Sequence, residues 1–278
     1  MNFSLLMSIY KNDNPDRLEK CLKSITNSSI TPEEIVLVID GPISNPLEEK
    51  VQDFSDKFHN LRLLRLRENC GLGIALSKGL ALCSNEIVAR MDADDEVIGN
   101  RFEIQLNIMR NPNIGIVGAY IEEVPDILLD YDHPNIRKVP KIKSKMRWTA
   151  IFLNPFNHMT VMFRKSAITS VGSYKPMNRF EDYYLWLRLL KSKWDCQNIP
   201  VPLVRATTGS SFFSRRSGWS YYKDEINFYK QCLDEGIIPF GGFIVGCGIR
   251  ASMRLLPARL VSSIYNFFLR KQSYVVNS

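Results

Sequence analysis

Four carboxylates crowd five consecutive positions in Arg90-Met91-Asp92-Ala93-Asp94-Asp95-Glu96, directly after the apolar run Ile87-Val88-Ala89. Like charges a few ångströms apart repel, so such a knot needs a divalent cation, a partner arginine or full solvation to offset it. The alternate spacing of Asp92 and Asp94 sets two carboxylates at one end of an extended segment. Hard oxygen ligands of that kind suit Mg2+ or Mn2+. The bland alternative is a solvated turn, with Asp94 or Asp95 capping a helix that starts near Arg101. A second acidic pair, Glu181-Asp182, opens the apolar, aromatic stretch from Tyr183 to Leu190. Carboxylates in a first helical turn are favourable by roughly 0.3–1 kcal/mol, which is reason enough for both. Held at a helix end and aimed into a site, one of them would also serve as a general base.

These residues depend on the elements that carry them. Continuous apolar or β-branched runs predict strands over 3–9, 35–39, 61–66 and 86–89. Apolar residues at helical spacing predict helices over 16–25, 47–58, 71–82 and 101–110. That alternation argues for an α/β protein with a mostly parallel sheet covered on both faces. Ligands in such sheets sit beyond the carboxyl ends of the strands, where both Asp40 and Asp92 fall. Further on, a glycine-containing strand is expected over 114–121, a loop over the sheet at 124–139, and a helical or irregular piece at 146–152. A strand with a polar entrance is expected over 157–164, in which His158 is an inward residue satisfied by backbone or a neighbour of a substrate phosphate.

Several chemistries are excluded. The six cysteines form no CxxC pair and the three histidines no HExxH spacing, which fits reduced thiols and no zinc site. Gly71-Leu72-Gly73 fails as a dinucleotide fingerprint, because residue 76 is leucine and the motif does not follow the first strand. Its plain reading is a turn made by Asn69 and Gly71 with Lys78 on the helix behind it, as a surface charge or a ligand contact. An EF-hand fails because Val97 stands where the loop glycine belongs. No apolar run is long enough to span a bilayer, and the N-terminus reads as a strand and not as a leader. The net charge of +7 and pI near 9.0 favour anionic partners. Nucleic acid is a poor choice, since no binding motif accompanies the charge.

Five features in this order carry a family resemblance. They are Ser4-Leu5-Leu6-Met7-Ser8-Ile9-Tyr10, the strand ending in Asp40-Gly41, Asn69 to Gly79, Asp92-Ala93-Asp94-Asp95, and Glu181-Asp182. The chain resembles the inverting family 2 glycosyltransferases of the GT-A fold, particularly those that extend bacterial surface polysaccharides. The resemblance implies donor contacts at Ser8, Tyr10, Asp40, Asn69, Lys78, Arg90, Asp92, Ala93 and Asp94, with Asp40 on the nucleotide base, Asp92 on the ribose or base region and Asp94 holding the metal. Asp182 matches the catalytic base, ahead of Glu181, which with His158 lies on the acceptor side. Arg215 and Arg216 fall in a basic loop that would clamp the diphosphate. The donor implied is a nucleotide-diphosphate sugar, with UDP favoured, and the acceptor a saccharide, lipid-linked or free. No QxxRW motif of processive members is present, which argues for one sugar per encounter.

The organisation expected is a catalytic GT-A domain over 1–219, nucleotide-binding to about residue 100 and acceptor-side beyond, followed by a helical appendage over 220–278. After Ile249 the chain alternates arginines with Met253, Leu255, Leu256, Leu260, Val261, Ile264, Tyr265 and Phe267, a pattern suited to an anionic membrane interface. That points to a cytoplasmic protein peripheral to the inner membrane. A nucleotidyltransferase also uses paired aspartates, but its glycine-rich loop should follow the first strand, where Tyr10-Lys11-Asn12-Asp13-Asn14 stands. A non-catalytic sugar-nucleotide binder is disfavoured by the intact Asp40, Asp92, Asp94 and Asp182.

Overall fold

The computed structural model describes residues 1–125, 135–208 and 216–256. Its first part alternates β1 (Ser4–Ile9), α1 (Pro15–Thr26), β2 (Glu34–Ile39), α2 (Asn45–Lys57), β3 (Leu61–Arg65), α3 (Leu72–Leu82) and β4 (Ile87–Arg90). There follow β5 (Glu96–Val97), α4 (Arg101–Met109), β6 (Ile114–Pro125), β7 (Asn135–Arg137), α5 (Lys143–Thr149), β8 (Met162–Arg164), α6 (Lys165–Ser170), α7 (Glu181–Lys191) and β9 (Asp195–Thr208). The helices α8 (Trp219–Asp234) and α9 (Phe240–Val245) come last. All described strands join one sheet in the order β3-β2-β1-β4-β8-β6-β9-β5, with β7 on β6.

The first four strands run parallel. Both faces of β1 and β2 are apolar because both are covered. Leu6, Val36 and Val38 pack under α3, while Leu5, Met7, Ile35, Leu37 and Ile39 pack with Leu18, Leu22 and Val51 of α1 and α2. Asn14 starts α1 by accepting from Asp16 N (2.9 Å) and Arg17 N (3.1 Å), with Pro15 fixing the first turn. The α3 helix lies unusually near the sheet: a Cβ on Gly79 would meet Leu6 Cδ1 and Val38 Cγ2 at 2.6 Å.

Beyond β4 the sheet is mixed. β8 is antiparallel to both β4 and β6, β9 runs parallel to β6, and β5 is antiparallel to β9. Three expectations are corrected here. The strand foreseen over 157–164 begins as a 3-10 turn, His158–Thr160, and becomes β8 only at Met162. Side chains account for the difference: Asn157 Nδ2 donates to Ala119 O (2.9 Å), and the Thr160 hydroxyl donates to Asn157 O (2.7 Å) and accepts from Ala119 N (2.9 Å). The loop foreseen at 124–139 contains β7, paired with β6, and residues 126–134 lie outside the described part. Neither Asp94 nor Asp95 caps α4, whose cap residue Asn100 makes no side-chain cap bond. Asp95 is buried, and Glu96, foreseen as turn or cap, is in β5 opposite Arg205.

The described C-terminal residues pack against α7. Phe228 of α8 stacks on Phe180 and Tyr183 at 5.0 and 4.9 Å, and Tyr229 and Cys232 are buried in the same core as Trp186. Among the described residues no helix is long and apolar enough to cross a membrane. The basic amphipathic stretch beyond Leu256 lies outside them.

The close seat of α3 yields a stability prediction. Gly79→Ala drives a methyl into Leu6 and Val38 and is expected to cost about 1–3 kcal/mol, as overpacking does. A urea melt should show a lower midpoint at unchanged slope.

Candidate active site

At the end of β4, Arg90 is 2% exposed and ion-paired with Asp92. Burial disfavours its charge, but the Asp92 carboxylate more than restores it and holds the pKa above the ordinary value. Its Nε and Nη1 are buried with no hydrogen-bond partner among the described residues. A second guanidinium lies beneath. Arg101, fully buried at the start of α4, donates to Arg90 O (2.7 Å), Met91 Sδ (2.9 Å) and Gln105 Oε1 (3.0 Å). Burial lowers its pKa to about 9, which leaves it charged at neutral pH. Gln105 in turn donates to Thr160 O (2.7 Å), joining the knot to the β8 entrance.

The carboxylates themselves are under-neutralised. Burial, reinforced by Asp92, pushes the Asp94 carboxyl up, and burial with Asp92 and Asp94 pushes Asp95 well above the carboxylate range. A third group joins that sequence reading passed over. Asp13 accepts from Tyr10 N (2.8 Å), and burial, aided by the charges of Asp94 and Asp92, raises it to about 7. Its position just past the first strand of a parallel sheet was the available signal.

Asp40 is buried, and its two oxygens accept from Cys70 N (2.7 Å) and Gly71 N (2.9 Å), while Asn69 Nδ2 donates to Asp40 O (3.2 Å). Those bonds fasten the β2 end to the turn before α3. A carboxylate has further lone pairs, so a base contact is compatible with them. Ser8 is half-buried near the end of β1, and Tyr10 is exposed just beyond it.

A cavity of about 650 Å3 is lined by Arg90, Asp92, His158, Glu181 and Asp182, and by Ile249, Arg250, Met253 and Arg254. It brings together six of the expected residues: Arg90, Asp92, His158, Glu181, Asp182 and Arg216. Ser8, Tyr10, Asp40, Asn69, Ala93 and Asp94 are not on its wall but at or near the adjoining strand ends, and Lys78 is exposed on α3 away from it. Arg215 lies outside the described residues.

Asp182 accepts from Asn154 Nδ2 and from its neighbour Tyr183 N, both at 2.6 Å. Burial raises its pKa, and it raises Glu181 to about 8 with the Asp182 charge assisting. Asn154, which orients the carboxylate, carried no motif. His158 corrects its expectation in part: its Nε2 is bonded to the Tyr174 hydroxyl (2.9 Å) and not to backbone. Burial holds this imidazole well below its usual pKa, so it is neutral. Among the described residues seven cations line the cavity, and Arg137, Lys138, Arg179, Arg250 and Arg254 among them were not anticipated as site residues.

The model of the family described as "Glycosyl transferase family 2" matches residues 4–172. The amylovoran biosynthesis glycosyltransferase AmsE of Erwinia amylovora is 35% identical over 267 residues, covering 95% of this chain and 97% of that protein. The Escherichia coli UDP-Gal:alpha-D-GlcNAc-diphosphoundecaprenol beta-1,3-galactosyltransferase is 33% identical over 270 residues, 97% of each. This chain belongs to glycosyltransferase family 2. Its fold matches S. aureus TarS 1-349 in complex with UDP-GlcNAc at TM-score 0.62 and 15% identity, covering 98% of this chain and 74% of that one. It also matches the mannosyltransferase PcManGT of Pyrobaculum calidifontis, in complex with GDP-Man and Mn2+, at TM-score 0.63 and 14% identity, over 98% and 76%. The GT-A fold expected from the resemblance is therefore the fold observed.

In this glycosyltransferase the buried acidic pair has a thermodynamic signature. Glu181 titrates near 8 when folded and near 4.5 when not, so the folded state holds its proton more tightly. Its contribution is complete below pH 4.5 and is lost as pH rises to 8. Glu181→Gln is expected to flatten the fall in melting temperature over that window, measured by calorimetry at stepped pH.

Proposed function

We propose that this family 2 glycosyltransferase moves one sugar from a UDP-sugar to a hydroxyl of a lipid-linked saccharide, during synthesis of a bacterial surface polysaccharide. The observation that carries the reading is Asp182: a half-buried, Asn154-oriented carboxylate lining the same cavity as the Arg90–Asp92 pair. The named activities of the Erwinia and Escherichia relatives, similar over nearly their whole lengths, support the same class of reaction.

A divalent ion fits the residues at the β4 end. Asp94 would hold it, with Asp92 and Asp13 as neighbouring hard oxygen donors whose crowding is under-neutralised without a cation. Among the described residues no three His, Cys, Asp or Glu side chains form a ready-made metal cage. One or two carboxylates completed by donor phosphates is the usual arrangement for Mg2+. When bound, the ion would neutralise charge on the departing nucleoside diphosphate.

The chain's own groups do the rest. Arg90, with two buried N–H donors unused, faces the diphosphate end of the cavity beside Asp92, which takes the nucleoside. Arg215 and Arg216, from the basic sequence that follows β9, clamp phosphate. Asp182 accepts the proton of the acceptor hydroxyl as its oxygen bonds to the anomeric carbon and the bond from that carbon to the donor phosphate breaks. One displacement inverts the configuration, and no covalent sugar–enzyme intermediate forms. Glu181, protonated over much of the neutral range, is placed to hold the acceptor. The basic tail beyond Leu256 keeps the protein on anionic lipid at the cytoplasmic face of the inner membrane, where such an acceptor is presented.

Two measurements test this. A panel of nucleotide sugars with Mn2+ should raise the melting temperature for one UDP-sugar, and Asp94→Asn or a chelator should remove that shift. Asp182→Asn should keep the shift while slowing transfer about 10²–10⁴-fold, the size of a lost general base. An Asp182→Asn protein as fast as the parent would refute the base assignment.

A further inference from the structure

We propose that the face formed by α5 and α9 docks on an anionic lipid bilayer, with Trp148 and Phe240 as the side chains that enter it. This rests on the membrane reading above and adds to the tail beyond Leu256 a second contact, on the folded domain. The two helices are neighbours. Arg147 and Ile151 line one cavity of about 410 Å3 together with Ile237, Ile238 and Pro239, and a Cβ on Gly242 would meet Ile151 Cδ1 at 3.4 Å. Tyr229 of α8 secures the join by donating its hydroxyl to Ile151 O.

Trp148 is 82% exposed and Phe240 66%, and Ile244 and Ile249, further along the segment that α9 begins, are exposed as well. Large apolar side chains left in water on adjoining elements are costly unless a partner covers them. The charge around them selects the partner. No acidic residue occurs from position 133 to 180 or from 236 to 256, and Lys141, Lys145 and Arg147 are exposed on α5 and just before it. The nearest acidic residues before α9 are Asp234 and Glu235 at the end of α8, and Glu235 is ion-paired with Lys175.

Lysine is depleted in protein–protein interfaces, whereas aromatic rings mixed with lysine and arginine suit the boundary between lipid headgroups and acyl chains. There the rings enter the apolar layer while the long basic stems reach back to anionic phosphates. Leu255 and Leu256, the last described residues, are exposed too, and the sequence from there to position 278 holds no acidic residue. Phe152 and Ile249 are exposed and also line the cavity that holds Asp182, so a bilayer seated on this face meets that cavity at its rim. A lipid-borne acceptor would then reach Asp182 without leaving the bilayer.

Co-sedimentation of the full chain tests the face, with vesicles of phosphatidylcholine alone or containing about one third phosphatidylglycerol. The parent should bind only the anionic vesicles. Lys145→Gln with Arg147→Gln should weaken that binding about 25-fold at unchanged melting temperature, each basic residue at such a surface being worth roughly fivefold. Phe240→Ser with Ile244→Ser should weaken it at least about tenfold. Lys57→Gln, on α2 at the other side of the sheet, should change it by less than about twofold. With brominated lipid the parent's tryptophan fluorescence should be quenched, and Trp148→Phe should still bind while losing most of that quenching. Undiminished binding by the α5 and α9 variants would overturn the face, as would quenching that survives Trp148→Phe or a parent that binds neither vesicle. A parent dimer that Phe240→Ser splits, with vesicle binding unchanged, would assign the face to a second copy of the chain instead. Arg270→Gln with Lys271→Gln binding as the parent does, while the face variants fail, would sink the tail reading and leave the face standing.

Discussion

Two guanidinium groups buried against the end of β4 are the constraint from which the site follows. Arg90 and Arg101 carry positive charge out of water, and only a dense set of carboxylates can offset it. The acidic knot is therefore as much a consequence of those arginines as a lure for a cation. Arg101 binds the backbone of Arg90, so the carboxylates are oriented from below by α4 and from the side by the Arg90–Asp92 pair. A metal and a diphosphate arriving at this place would meet charges already paired off, and would find them short of full neutrality.

The fold brings Asp182 to the cavity from a different part of the chain. Asp182 opens α7, whose aromatic face anchors it in the core through Tyr183, Tyr184 and Trp186. Asn154 then fixes the carboxylate from the segment after α5. The Arg90–Asp92 pair and Asp182 thus rest on different elements of the same sheet-based scaffold, and one cavity is lined by both.

Much of this was legible before the structure. β1 and β2 are buried on both faces because helices cover both, and that leaves a continuous pattern that periodicity detects. Asp92 stood out by the crowding of carboxylates around it, and Asp182 through the family resemblance. The second half was harder, because β6, β8 and β9 pair across long sequence separations and mix directions. At the β8 entrance Asn157 and Thr160 spend side-chain hydrogen bonds where a strand ladder was expected. Asp13, Asn154, Arg101 and the Arg250–Arg254 pair gain their meaning only from neighbours distant in sequence.

The antiparallel meeting of β4 with β8 divides the sheet by direction. The family match crosses that seam, taking in β6 and β8, and ends at residue 172, short of the acidic pair that starts α7. Across that seam, α7 still shares one hydrophobic core with β1, β2 and β4, through Leu6, Val36, Val38 and Val88. Laboratory exchange of segments at that join would therefore cut through a single core.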